Sequence, residues 1–253
     1  MRPIPFMTTR PIAHRGYYDN VTIPENSLLA FKRAVEHDYM IELDIQLTKD
    51  NQVVVFHDNT LKRMCNQPNN IKDYTYAELC KFKLGETDYQ IPLFSEVLKV
   101  IGAKVPVIIE MKHEKEKDPD LPRISYELLK DYHGEFVVQS FDPFLVKAYK
   151  KLNPAILRGI LVYDYADNPM PKPVSRLLAG LHFNFLMKPD FINSEMHYKP
   201  KKLRKFKEKG GAVICYTARS EADYKEAFTY FDNVIFEKFE PKYFYTRKHI
   251  DSK

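Results

Sequence analysis

Hydrophobic and polar residues alternate without a break between Ile41 and Thr48, which predicts a β-strand with two chemically different faces. Successive side chains of a strand point to opposite sides, so Glu42 and Asp44 point the same way. A half-buried strand that shows its polar face to water is the ordinary interpretation of such a pattern. From this stretch alone, that interpretation is favoured over a functional one.

A hairpin turn is expected directly after this strand. Asp50 and Asn51 both tolerate a positive φ, and together they predict a two-residue turn into a second apolar strand. In that register His57 lies opposite Asp44, with the two Cβ atoms about 4.5–5.5 Å apart. A turn shifted by one residue would break this pairing.

The rest of the chain alternates strand-like and helical segments. Eight predicted strands separated by helices favour an α/β fold, a TIM (β/α)8 barrel with a small hairpin and insertion after strand 2. The alternative is an open doubly wound sheet, which no glycine-rich phosphate loop supports. We expect one domain over residues 1–253. The predicted strands are Pro11–His14, Ile41–Thr48, Val105–Lys112, Phe136–Ser140, Leu157–Tyr163, Phe183–Met187, Val213–Thr217 and Asn233–Phe236.

Composition narrows the function classes. A net charge of +5 suits an anionic substrate but is too small for a dedicated nucleic-acid binder. The first ten residues are broken by Pro3 and Pro5 and do not resemble a signal peptide, and no apolar run has the length of a membrane span. We therefore expect a cytoplasmic protein without stable membrane insertion, whose oligomeric state is open. Its three cysteines read as free thiols: Cys65, Cys80 and Cys215.

An ordered set of short motifs covers most of the first 145 residues. The motifs are His14-Arg15-Gly16, Pro24-Glu25-Asn26-Ser27, Glu42-Leu43-Asp44, Thr48-Lys49-Asp50, His57-Asp58, Ile91-Pro92-Leu93-Phe94-Ser95-Glu96-Val97-Leu98, Ile109-Glu110-Met111-Lys112 and Gln139-Ser140-Phe141. In order and spacing the set resembles the glycerophosphodiester phosphodiesterase family, whereas the second half of the chain fits only loosely. The resemblance implies an enzyme that hydrolyses a small-molecule glycerophosphodiester substrate to an alcohol and glycerol 3-phosphate.

Three carboxylates are the candidate metal ligands: Glu42, Asp44 and Glu110. In a barrel the chemistry lies at the carboxyl ends of the strands, where these residues fall. Glu110 and Lys112 share a face of their strand and so repeat the pattern of Glu42 and Asp44. Carboxylates that converge on one rim repel each other unless a cation lies among them. Their oxygens suit one divalent cation, Mg²⁺, Ca²⁺ or Mn²⁺.

His14 and His57 are the candidate catalytic residues. A lone histidine is more often structural, and the other six histidines lack any motif context. Imidazole titrates near working pH and can act as acid or base. The resemblance implies that one imidazole activates the nucleophile and the other protonates the departing alkoxide. Which does which stays open, as does the choice between water and a neighbouring substrate hydroxyl as nucleophile.

Arg15, Lys112 and Glu25 complete the candidate site as substrate-binding positions. Arg15 and Lys112 can contact the non-bridging phosphate oxygens, although salt bridges to neighbouring carboxylates are an alternative that can coexist. Glu25 matches a family position and is given a supporting role, with a helix-start acid as the ordinary alternative.

Two positions depart from the family pattern. Tyr216-Thr217 stands where a Trp-Thr pair is common, and Ile235-Phe236-Glu237 stands where many members have a Thr-Asp pair. The first change keeps an aromatic side chain, so we expect the wall of the pocket to be kept and the substrate fit to change. The second leaves the contacts on the alcohol side open.

The main hypothesis has two alternatives. One is a lysophospholipase D-type activity on lysophospholipids, and the other is a non-catalytic barrel that binds phosphorylated ligands.

Overall fold

The computed structural model describes residues 2–112, 120–164 and 187–244, which fall into two compact units. One unit comprises residues up to 12 together with residues from 137 onward, and the other comprises Ala13–Phe136. The expected single domain stays a prediction. Within the described part of the chain, no helix combines the length and apolar character that crossing a bilayer requires.

Strands and helices alternate in the unit of residues 13–136, as the sequence predicts. The strand Met40–Leu47 pairs in parallel with Val107–Met111 and in antiparallel with Val53–Val55. The elements are β1 (Ile12–Ala13, whose second residue opens this unit), α1 (Leu28–Glu36), β2 (Met40–Leu47), β3 (Val53–Val55), α2 (Lys62–Cys65), α3 (Tyr76–Leu79), α4 (Phe94–Ile101), β4 (Val107–Met111) and α5 (Asp120–Leu129).

The turn between β2 and β3 differs from the prediction by one residue. The register pairs Ile45 with Val55 and Leu47 with Val53, so that Phe56, not His57, donates its N–H to the carbonyl oxygen of Asp44. The predicted two-residue turn, and with it the direct pairing of Asp44 with His57, is therefore wrong.

A side-chain bond explains the longer loop. The Thr48 hydroxyl donates to Asp50 Oδ1 at 2.5 Å and accepts the N–H of Gln52 at 2.9 Å. These bonds favour a three-residue loop, Lys49–Asn51, closed by a bond from the Asn51 N–H to the Thr48 carbonyl oxygen. Asn51 takes the left-handed conformation, with φ 58°, that such a loop needs at its last position.

Residues 59–89 form a small satellite core between β3 and α4. The sequence reads as polar and irregular here, yet its few apolar side chains meet in one cluster and pack against the end of the hairpin. Because the cluster is buried, the short helices of this segment are held against the unit. Its members are Val54, Phe56, Leu61, Met64, Cys65, Ile71, Leu79, Leu84 and Ile91.

The second unit continues the alternation with five parallel strands, which pair with one another in the order of the chain. Cys65, Cys80 and Cys215 are all unpaired, which confirms the prediction of free thiols. The elements are β5 (Phe136–Ser140), α6 (Pro143–Leu152), β6 (Arg158–Val162), β7 (Phe191–Glu195), α7 (Lys201–Glu208), β8 (Ala212–Ala218), α8 (Glu221–Ala227) and β9 (Asn233–Phe236).

Four residues of the strand predicted at Phe183–Met187 lie outside the described part of the chain, and the fifth, Met187, is not in a strand. In the described residues β6 pairs with β7, at Phe191–Glu195, which was not among the predicted strands. Strand β7 has only two apolar residues at its start. Its Asn193 is nevertheless fully buried, and its side-chain amide donates a hydrogen bond to Gln139 Oε1 at 3.1 Å. Buried amide pairing replaces the apolar pattern that sequence reasoning relies on.

We expect Asn51→Val to lower the free energy of unfolding by about 1–2 kcal/mol, because a β-branched side chain is strained at positive φ. Asn51→Gly is the matched control and is expected to keep wild-type stability, since glycine adopts this conformation without a steric penalty. Urea denaturation measures both. Equal stability of the valine variant and wild type would contradict the assigned loop.

Candidate active site

Strand register brings three carboxylates together. The parallel pairing of β2 with β4 places Asp44 directly beside Glu110, and Glu42 lies two residues before Asp44 on the same face. Ligand oxygens of all three lie within 4.8 Å of one another, and all three side chains are buried. Every residue of β2 is buried, so the interpretation of a half-solvated strand is wrong.

Two permanent cations lie among these carboxylates. Lys112 Nζ is 2.7 Å from Glu110 Oε1 and 3.1 Å from Asp44 Oδ1. Arg15 Nε is 3.5 Å from Asp44 Oδ2, and the backbone N–H of Arg15 donates to Glu42 Oε2 at 3.2 Å. The salt bridges given above as the alternative role of Arg15 and Lys112 are thus formed.

The backbone at Arg15 is held in an uncommon conformation. Arg15 has a φ of 54° and Gly16 a φ of 81°, and a Cβ on Gly16 would lie 2.9 Å from the backbone of Ala30. Glycine is therefore required at position 16. The Asn26 N–H donates to the Arg15 carbonyl oxygen at 2.9 Å and fixes the loop. Strain of this kind, maintained by the surroundings, is common at functional sites.

Burial and mutual repulsion shift the acid groups in opposite directions. Burial, and then the charges of Asp44 and Glu110, raise the pKa of Glu42 well above its usual range. Burial acts on Asp44 in the same sense, but the charges of Lys112, His57 and Arg15 outweigh it and hold the pKa of Asp44 well below its usual range. One carboxylate thus favours a proton while its neighbour stays ionised, as expected where negative charges are crowded.

The carboxylate oxygens of Glu42, Asp44 and Glu110 also fit a divalent cation. Within the described residues, Asp44 Oδ1 and Asn26 Oδ1 are buried and accept no hydrogen bond of normal geometry. The Asn26 amide donates to the other oxygen of Asp44 at 2.9 Å. The donor set consists of carboxylate oxygens, which hard divalent cations prefer. A buried acidic group compatible with a divalent cation is therefore present.

Both candidate imidazoles lie close to the triad. His14 Nε2 is 3.9 Å from Glu42 Oε2, and its side chain is 15% exposed. His57 is 31% exposed, and its charge acts on both Asp44 and Glu110. His57 thus lies at the site although the predicted hairpin register was wrong. The Gln46 side chain donates to the carbonyl oxygens of Phe56 and Asp58 and so holds the segment after β3 in place.

Glu25 is at the centre of a network that sequence reasoning missed in part. Its carboxylate accepts hydrogen bonds from Arg15 Nη1 at 2.7 Å, from Asn20 Nδ2 at 2.8 Å, and from Arg63 Nη1 and Nη2 at 2.9 and 2.6 Å. Burial opposes ionisation, but the bonds from Arg63 and the charge of Arg15 lower the pKa of Glu25 to about 2. Sequence reasoning missed Arg63 and Asn20 because neither belongs to a motif or to a periodic pattern that indicated the site.

The two departures from the family pattern lie in the other unit. The Tyr216 hydroxyl donates to the Val162 carbonyl oxygen at 3.1 Å, and its ring stands edge-on to Phe141 with 6.1 Å between ring centroids. Glu237, buried just after β9, accepts a hydrogen bond from Arg219 Nε at 2.7 Å. Each replacement is thus held by neighbours within its own unit.

Comparison with known proteins identifies the family. The family model "Glycerophosphoryl diester phosphodiesterase family" matches residues 14–234. The chain belongs to this family. Its sequence is 38% identical over 197 residues to a protein of Caldanaerobacter subterraneus named glycerophosphodiester phosphodiesterase, which covers 74% of this chain and 80% of that protein. The family expected from the motifs is therefore confirmed.

Two further similarities concern fold and relatives. The structure of an Oleispira antarctica phosphodiesterase in complex with the product sn-glycerol-3-phosphate is similar with a TM-score of 0.76, at 23% identity, over 97% of this chain and 96% of that one. This confirms the predicted fold, a (β/α)8 barrel. A rat protein named lysophospholipase D GDPD1 is 37% identical over 141 residues, which cover 50% of this chain and 43% of that protein.

We expect Glu25→Gln to lower the free energy of unfolding by about 1–3 kcal/mol near neutral pH, because it removes a buried charge that two arginines share. The pKa of Glu25 is lower in the folded chain, about 2, than the ordinary value of 4.5 for a glutamate. Its charge therefore stabilises the fold fully above pH 4.5, and the contribution disappears as pH falls toward 2.

Urea unfolding of wild type and variant at several pH values checks this. The difference between the two proteins is expected to shrink as the solution is acidified. The exposed Glu36, replaced by glutamine in the same way, is the control, and its effect is expected within about 0.5 kcal/mol. A difference for Glu25→Gln that stays constant at acidic pH would contradict the assignment.

Proposed function

We propose that this chain is a metal-dependent phosphodiesterase that hydrolyses glycerophosphodiesters to an alcohol and glycerol 3-phosphate. The observation that carries the proposal is the buried triad of Glu42, Asp44 and Glu110 with His14 and His57 beside it. Membership of the family supports it, as do the named relative and the product bound to the structural neighbour.

Glu42, Asp44 and Glu110 are the residues that would hold a divalent cation. The five carboxylates of this cluster, which include Glu25 and Asp58, face three permanent cations, Arg15, Arg63 and Lys112. Glu42 favours a proton because it is buried and negative charge is crowded around it, and a divalent cation among the three carboxylates would favour its ionised form instead. When bound, the cation stabilises negative charge on the phosphoryl oxygens as a Lewis acid.

Arg15 and Lys112 bind the phosphodiester in this proposal. Both side chains are about 13% exposed at the edge of the triad. Burial works against the charge of Lys112, but Asp44 and Glu110 outweigh it and raise its pKa, so the ammonium stays charged. A planar guanidinium and an ammonium both donate to the non-bridging oxygens, where charge increases in the transition state. Glu25, bonded to Arg15 Nη1, supports the substrate site by holding this guanidinium in place.

The two histidines move the protons. One imidazole accepts a proton from the attacking hydroxyl as its oxygen forms a bond to phosphorus. The other donates a proton to the leaving alkoxide as the bond between phosphorus and the alcohol oxygen breaks. The attacking hydroxyl belongs to water or to the neighbouring glycerol carbon, and the latter path adds hydrolysis of a cyclic phosphate. Positioned acid–base groups contribute about 10²–10⁴-fold to such steps.

A lysophospholipase D-type activity is the second candidate. It is favoured by the sequence identity to the rat lysophospholipase D, and it would use the same phosphate site with an acylated glycerol.

The expectation of a cytoplasmic enzyme is supported by the three unpaired cysteines.

We expect the purified protein to release sn-glycerol 3-phosphate from glycerophosphocholine, to lose this activity in EDTA and to regain it when Mg²⁺, Ca²⁺ or Mn²⁺ is added. A coupled glycerol 3-phosphate dehydrogenase assay measures the product. Turnover that persists in EDTA would contradict the metal site. Absence of turnover with several headgroups would favour a barrel that only binds phosphorylated ligands, and turnover of acylated substrates alone would favour the lysophospholipase D.

His14→Ala and His57→Ala are each expected to lower kcat by about 10²–10⁴-fold while the fold is kept, since each removes one proton-transfer group. The exposed His133, replaced by alanine, is the matched control and is expected to leave kcat unchanged. If either active-site variant retained wild-type kcat, that imidazole would have no part in the chemistry.

A further inference from the structure

We infer that Arg63 is a positioning residue for the reaction, which fixes His57 through Asp58 and ties that imidazole to the Glu25–Arg15 pair on the other side of the site. The inference deepens the proposed function and rests on it. Five residues form a continuous chain of short bonds, and nothing in the reaction scheme above uses the arginine at its centre. In order they are His57, Asp58, Arg63, Glu25 and Arg15.

The first link joins Arg63 to Asp58. Arg63 Nε donates to Asp58 Oδ2 at 2.6 Å, and Arg63 Nη2 donates to Asp58 Oδ1 at 3.0 Å. Two parallel bonds of this kind fix both the distance and the plane of a carboxylate. Asp58 Oδ1 in turn lies 2.6 Å from His57 Nδ1. The guanidinium therefore sets the orientation of the group that contacts the imidazole.

The second link joins the same guanidinium to Glu25. Arg63 Nη1 and Nη2 donate to Glu25 Oε2 and Oε1 at 2.9 and 2.6 Å, and Glu25 Oε1 also accepts from Arg15 Nη1 at 2.7 Å. Arg63 thus bridges two carboxylates with two separate edges of one planar group. An ammonium cannot reproduce this, because lysine donates from a single point.

The bridge determines which imidazole nitrogen carries the proton. A hydrogen bond to His57 and two from Arg63 hold the pKa of Asp58 well below its usual range in spite of partial burial, so its carboxylate is ionised and only accepts. His57 Nδ1 must then donate, which leaves Nε2 as the nitrogen that exchanges a proton with the substrate. Without the bridge, the imidazole could rotate or change tautomer.

The satellite core explains why the arginine is in place. Arg63 lies on α2 between Leu61 on one side and Met64 and Cys65 on the other, all three of which are buried in that cluster. The backbone is thus anchored while the Arg63 side chain, 45% exposed, reaches back to the site. The segment of residues 59–89 therefore has a role in the reaction: it delivers the group that orients His57.

Steady-state kinetics with glycerophosphocholine test the inference on the full chain. Arg63→Met is expected to lower kcat about 10–100-fold with KM changed less than about threefold, since supporting bonds of this type have effects of that size. Arg63→Lys is expected to recover only part of the loss. Asp58→Asn is expected to lower kcat about as much as Arg63→Met does. The double variant is expected to lose no more than either single variant, because both residues act on His57.

NMR provides a readout that a merely structural role would not change. In ¹⁵N-labelled wild type at about pH 8, where imidazole is neutral, His57 is expected to show a protonated, hydrogen-bonded Nδ1. The signal is assigned by its loss in His57→Gln. In Arg63→Met it is expected to shift toward a mixture of tautomers, whereas the exposed Arg123→Met, the matched control on α5, is expected to leave it unchanged.

The inference is overturned if Arg63→Met keeps both kcat and the His57 spectrum, or if Arg123→Met produces the same loss. If Arg63→Met does not fold, Arg63→Lys replaces it in both experiments, with the same criteria. Failure of the proposed function is distinguishable: a wild type without turnover removes the hydrolase assignment, while the NMR comparison still decides whether Arg63 orients His57.

Discussion

The parallel register of β2 and β4 is the constraint on which the site depends, because it forces Asp44 and Glu110 to lie side by side in a buried position. With Glu42 on the same face, three acids share a space where their charges are poorly screened. The surrounding residues offset this repulsion. Arg15 is held at a strained backbone position, and Lys112 is largely buried with its charge intact. Asp44 Oδ1, which accepts no hydrogen bond of normal geometry, fits a divalent cation.

Acidic and basic side chains alternate in the contacts of the site. The three carboxylates contact Arg15 and Lys112, Arg15 contacts Glu25, and Glu25 contacts Arg63, which returns through Asp58 to His57. Each of the three cations thus contacts two carboxylates. Such a network keeps long side chains in one arrangement, which is what positioning of a phosphodiester and of two proton-transfer groups requires. Stability and function therefore depend on the same contacts.

The sequence predicted the parts of the site that follow from periodicity. Strict alternation placed Glu42 and Asp44 on one face, and the repeated pattern in β4 placed Glu110 beside them, as the structure has it. It failed where a side chain, not the apolar pattern, decides the backbone. Thr48 bonded to Asp50 shifts the hairpin register, and the buried amide of Asn193 supports a strand with little apolar signal. Arg63 was missed because its bonds reach Glu25, 38 positions earlier in the sequence, and leave no local pattern.

The central claim is that a divalent cation lies among Glu42, Asp44 and Glu110 with both imidazoles close to the substrate phosphate. The most direct measurement is a crystal structure with Mn²⁺ and sn-glycerol 3-phosphate, with anomalous diffraction recorded for manganese. We expect one strong anomalous peak bounded by oxygens of the three carboxylates, with the phosphate between His14 and His57. A peak elsewhere, or a phosphate out of reach of both imidazoles, would contradict it.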